Sequence, residues 1–193
     1  EDVEQYTHSN PDNLQAEARE VAELCACIRQ ELQEYQPEAL VVLDLHTTSA
    51  DGGVFSIPAD QSSSLRLAKN LKAPVILGLV EGIQGAFLRY LTEHPFKVNK
   101  HPQYTLGVAF ESGQHEDPAS VSRAIAAILS CLRAAGCMLP DAVQNQHEAL
   151  LGLYSRQMPD VARLRYVHRI HTGDRFNMRP GYRNFQAIRA QEH

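Results

Sequence analysis

Apolar residues recur at steps of three and four through Leu14, Ala18, Val21, Leu24, Cys25, Ile28 and Leu32. That spacing predicts a helix with one apolar face, capped by Asn10 or Asp12 and stopped by Pro37. The continuous aliphatic run Ala39-Leu40-Val41-Val42-Leu43 predicts a strand with both faces covered, ending at Asp44-Leu45-His46. Asp51-Gly52-Gly53 is a turn, followed by a short strand over 54–57 and a short helix over 63–71. Residues 74–79 predict a second buried strand, 85–91 a weak helix, and 94–104 a polar surface loop. A third apolar strand over 106–110 ends at Glu111-Ser112-Gly113. Asp117 caps the next helix, with Pro118 at its first position. That helix carries Val121, Ile125, Ile128, Leu129 and Leu132 and ends at Gly136.

Alternating strands and helices predict an α/β sheet with helices on both faces. After Pro140 the pattern changes. Residues 164–170 alternate like a half-exposed strand, Gly173-Asp174 and Pro180-Gly181 are turn signals, and 185–188 is strand-like again. The division expected is an α/β domain over 1–158 and the start of a β-rich domain over 159–193. The opening without Met and the strand-like end predict a piece of a longer protein.

Composition narrows the classes. With 44% hydrophobic and 21% charged residues the chain is an ordinary globular sequence. The formal net charge of −5 disfavours nucleic-acid or anionic-membrane binding through bulk charge. No apolar run approaches the ~20 residues that span a bilayer, and the acidic opening is no signal peptide. The four cysteines lack Cys-x-x-Cys spacing and read as buried free thiols, which suits the cytoplasm.

Two polar clusters each follow a buried strand, where α/β sheets bind ligands. In Asp44-Leu45-His46-Thr47-Thr48, the side chains of Asp44 and His46 share a face. This reads either as a zinc-binding His with its orienting carboxylate or as a hydrogen-bonded strand end. In Glu111-Ser112-Gly113-Gln114-His115, a desolvated Glu111 suits a general base, and a helix-capping role is the alternative. Ser112 lacks the Gly-x-Ser-x-Gly surroundings of a nucleophile. His94, His101, His147, His168 and His171 rank lower. The run Arg163, Arg165, Arg169, Arg175, Arg179 and Arg183 reads as a solvated face before an anion site.

The segments 41–49 (VVLDLHTTS), 109–115 (AFESGQH) and 179–185 (RPGYRNF) resemble the succinylglutamate desuccinylase/aspartoacylase family across nearly the whole chain. The resemblance implies a zinc-carboxypeptidase-like sheet with an added C-terminal β domain. It implies zinc-dependent hydrolysis of the amide bond of a small-molecule N-acyl amino acid. By position, His46 resembles a zinc ligand and Glu111 the general base on zinc-bound water. Thr47 and Thr48 fall in the active-site loop, and Asp44 lies behind the ligand. One zinc per site follows from the same resemblance. The family's His-x-x-Glu motif and Asn-Arg pair do not precede His46 here, so residues ahead of Glu1 are expected to carry them. The 193 residues alone are expected to bind zinc weakly and to be inactive. Lys97, Lys100, His101 and His94 are the basic residues in the loop before the base. Two alternatives stay open: a non-catalytic binding module on the same scaffold, and a zinc carboxypeptidase acting on peptides. A homodimer is compatible with the sequence, which does not fix the oligomeric state.

Overall fold

A computed structural model of the chain describes residues 16–60, 62–82, 86–171, 173–177 and 179–189. Among the described residues are six helices and five strands. They run α1 (Ala16–Tyr35), β1 (Ala39–Thr48), β2 (Phe55–Pro58), α2 (Ser63–Asn70), β3 (Val75–Leu77), α3 (Leu79–Gly82), α4 (Phe87–Glu93), β4 (Tyr104–Gln114), α5 (Ala119–Ala134), α6 (Glu148–Ser155) and β5 (Val161–Arg163). The strands form one mixed sheet in the order β1-β4-β2-β3-β5. β1 runs parallel to β4, β2 antiparallel to β4, and β3 parallel to both β2 and β5.

Alternation along the strands sorts side chains onto the two faces. On one face Val41, Leu43, Val108, Phe110, Val75 and Leu77 pack with Leu67, Leu71, Ala126, Ala127 and Leu151 of the α2, α5 and α6 side. On the other, Leu40, Val42, Ala109, Phe55 and Ile57 pack with Cys25, Leu32, Val80, Leu88 and Leu91 of the α1, α3 and α4 side. The α/β expectation with helices on both faces is therefore met. Full burial of an aliphatic or aromatic side chain contributes about 1.5–3 kcal/mol. Phe110, Val108 and Leu71, all inaccessible to solvent, anchor the first core on that scale.

Local signals place several element ends. α1 buries Ala18, Ala22, Cys25 and Leu32, whereas Leu24 is half exposed. The expected caps Asn10 and Asp12, and Leu14, lie outside the described residues. Asp60 heads α2: its carboxylate accepts the Ser62 N–H at 2.8 Å and the Ser64 hydroxyl. Burial pushes this carboxyl up, but those hydroxyl and backbone bonds outweigh it and bring its pKa to about 2. α5 ends in paired bonds from Gly136 N to Arg133 O at 3.1 Å and Cys137 N to Leu132 O at 2.9 Å. Gly136 takes φ +75°, the left-handed conformation such an ending requires.

Other expectations need correction. β1 has both faces packed as expected, but it pairs only with β4 among the described residues and lies at the sheet edge, so its side chains stay partly accessible. The loop over 94–104 is not wholly a surface feature, because Phe96 and Pro102 are buried. The large aliphatics of α5 are not its core face. Val121, Ile125, Ile128 and Leu132 are exposed, while Ser120, Arg123, Ala126, Ala127, Ser130 and Cys131 are buried. Small residues let the helix approach the sheet closely, and that closeness decides the buried side. Cys25 and Cys131 are buried free thiols as expected, but Cys27 and Cys137 are exposed. Residues 164–170 and 185–188 are not strands; the chain instead adds β5 to the main sheet just before them.

Candidate functional site

The chemistry gathers where β1 and β4 end and β2 begins. In the parallel ladder Asp44 opposes Ala109 and His46 opposes Glu111; in the antiparallel ladder Phe55 opposes Glu111. Directly paired residues project to the same face of a sheet. His46, Glu111 and Phe55 thus form a row across three strands, on the face that carries α1 and α4. Asp44 stands one alternation behind His46 on that face. The row continues the apolar column of Leu40 and Val42, so the site begins where the core stops.

Asp44 Oδ1 lies 2.9 Å from His46 Nε2, with the imidazole 53% and the carboxylate 27% exposed. With the carboxylate as acceptor, Nε2 carries a proton. Glu111 is half-buried, and its Oε2 is sealed from solvent with no hydrogen-bond partner among the described residues. Burial pushes its carboxyl above the ordinary glutamate value; His46 opposes this, Asp44 adds to it, and His115 opposes it. A carboxyl held partly desolvated and short of partners is primed to take up a proton.

Thr47 and Thr48 belong to the end of β1 rather than to a loop, at an irregularity in its register between His46 and Thr48. The Thr47 hydroxyl meets His115 Nδ1 at 2.7 Å, and the Thr48 carbonyl accepts the His115 N–H at 3.0 Å. The structure therefore brings Asp44, His46 and Glu111 together and ties both threonines to His115. Ser112 is buried and its hydroxyl donates to the His46 carbonyl at 2.9 Å, an engaged group and not a free nucleophile. Lys97, Lys100 and His101 precede β4, and Glu111 lies seven residues beyond its start. At ~3.3 Å per residue Glu111 stands about 23 Å along β4 from the strand's start. Two clefts of about 320 Å³ each, sharing Ala59, Asp60 and Thr92, contain none of the residues gathered around Glu111.

Sequence reasoning missed Arg123. It is fully buried, donates from Nη1 to the Ser112 carbonyl at 2.6 Å and pairs through Nη2 with Asp117. Its guanidinium carbon sits 3.9 Å from the centre of the Tyr154 ring. The signal was legible in principle: Arg123 is the one charged residue between Ala119 and Leu132, and an isolated charge in an apolar helix is buried only when paired.

The third segment of the resemblance reaches the same end of the sheet. Asn184 bridges Gly52, and its N–H donates to the Asp51 carbonyl at 2.7 Å. Gly52 is required there, because φ is +122° and a Cβ would come within 2.9 Å of the Asn184 backbone. Phe185 then meets Phe55 edge-on at 5.7 Å between ring centres. The exposed His168 lies 3.9 Å from Asp174, apart from this group.

No helix among the described residues is long and apolar enough to cross a membrane. Comparison with family models, curated proteins and solved structures gives no match to this chain.

Proposed function

We propose that this chain carries the proton-transfer centre of a hydrolase acting on the amide bond of an N-acyl amino acid, on a zinc-carboxypeptidase-like sheet. The observation that supports this most is the pairing of Glu111 with His46 across adjacent parallel strands, with Asp44 behind the imidazole. The order of the three resembling segments agrees with the same reading.

The family resemblance implies one zinc. A catalytic zinc takes about three protein ligands and keeps one open position. Among the described residues no group of three His, Cys, Asp or Glu is placed to hold a metal ion. His46 has the chemistry of one ligand, but the residues present do not fit a complete set, and no step here runs through the metal.

The role of Glu111 follows from its environment. A water oxygen bonds to the acyl carbon while its proton passes to the Glu111 carboxylate. The carbon–nitrogen bond then breaks as Glu111 returns that proton to the leaving nitrogen, releasing a carboxylic acid and an amino acid. A raised carboxyl affinity for protons favours the first half, the uptake of the water's proton.

The discriminating experiment offers N-acetyl and N-succinyl amino acids, and N-blocked dipeptides, to the natural protein that carries this chain, with zinc supplied. The proposal predicts hydrolysis of the acyl amino acids with little action on the C-terminal peptide bond. Preference for the peptide bond would favour a carboxypeptidase, and inertness towards every compound would favour a binding module.

A further inference from the structure

Ser112 faces two ways. Its hydroxyl donates to the His46 carbonyl on β1, and its carbonyl accepts from Arg123 Nη1 on α5. Arg123 is in turn held by Asp117 at the start of α5 and by the Tyr154 ring on α6. A continuous polar chain thus runs from Asp117 through Arg123 and Ser112 to the peptide of His46. It passes through the residue next to Glu111.

The backbone is shaped to receive that guanidinium. Gly113 takes φ +116°, and a Cβ there would lie 2.2 Å from Arg123 Nη1. Only glycine leaves room for a charged side chain against the Ser112–Gly113 peptide in this conformation. A buried cation carries a desolvation cost that a well-packed apolar residue would avoid, so a stability role alone accounts for it poorly. The two-pronged planar fork of Arg also fixes direction in a way that Lys does not.

We propose that Arg123 is the positioning residue of the site: it clamps the end of β4 through the Ser112 carbonyl and thereby sets where the Glu111 carboxylate stands relative to the His46 imidazole. The inference rests on the hydrolase reading for its catalytic purpose, but not for its geometry.

The test uses the protein labelled with 15N-histidine and side-chain 13C-glutamate, at one fixed pH. Arg123→Lys is expected to move the His46 ring and Glu111 carboxyl resonances and to leave those of His101 in place. His101 accompanies Pro37 at the opposite end of β1, with Nδ1 3.2 Å from its carbonyl. Asp117→Asn, which weakens the ion pair holding Arg123 and leaves Ser112 and β1 untouched, is expected to move the same resonances in the same direction and serves if Arg123→Lys does not fold. Lost thermal stability with site resonances unchanged in both variants would overturn the proposal. In the hydrolysis assay Arg123→Lys should lower kcat about 100-fold with KM within about twofold, the mark of misplacement by roughly an ångström. Moved resonances in a protein that hydrolyses nothing would leave the clamp standing and remove the hydrolase reading. Hydrolysis unaltered by Arg123→Lys would do the reverse.

Discussion

Glu111 sits where a carboxylate is poorly accommodated, and this has a consequence for stability. Its folded-state pKa is raised, chiefly by burial, above the ordinary glutamate value of about 4.3. Between that value and the raised one, the folded chain holds a proton that the unfolded chain has released. The stability this group contributes is therefore full below about pH 4.3 and is lost as pH rises through the folded value. Glu111→Gln, which cannot ionise, should melt at a higher temperature than the parent at pH 7. The difference should vanish near pH 4, as thermal unfolding at the two values would show. A parent more stable than the variant at pH 7 would contradict the environment described. Asp44, His46 and Glu111 were legible in the sequence because strand alternation and strand ends are local properties. Arg123 was legible too, as a lone charge in an apolar helix, but its partners and the threonine contacts to His115 were not, because each depends on which elements lie side by side.

At the scale of elements, α5 shows how a period can be correct and its orientation wrong. The helix ends as Gly136 and Asp117 indicate, yet its large aliphatics point outward. Ala126, Ala127, Ser120 and Ser130 face inward instead, because the approach of α5 to β4 leaves no space for longer side chains. Ile125→Lys should then change the unfolding free energy by less than about 0.5 kcal/mol. Ala127→Leu should destabilise by about 1–3 kcal/mol through overpacking. Denaturant titration of the two variants separates the faces, and the reverse order of effects would show that the aliphatic stripe is the packed one. The apolar run of β1 indicated that both faces are packed, and they are, but the sequence did not show that β1 is an edge whose side chains stay partly accessible.

Over the whole molecule, the strand order β1-β4-β2-β3-β5 is what assembles the site. It inserts β4 between β1 and β2, bringing the distant Glu111 between His46 and Phe55. Periodicity indicated α1, β1, β2, α2, β3, β4 and α5 but not α3, α6, β5 or this order, because strand pairing is non-local. The Asn184–Phe185 segment returns to the same end, although the strands expected around it are irregular. The central claim is that Glu111 moves the proton in amide hydrolysis beside His46. Its most direct test is the turnover of an N-acyl amino acid by the natural protein carrying Glu111→Gln, with folding checked by thermal melting. The account predicts a folded protein whose kcat has fallen about 100- to 10,000-fold. A folded variant that turns over within about twofold of the parent would contradict it.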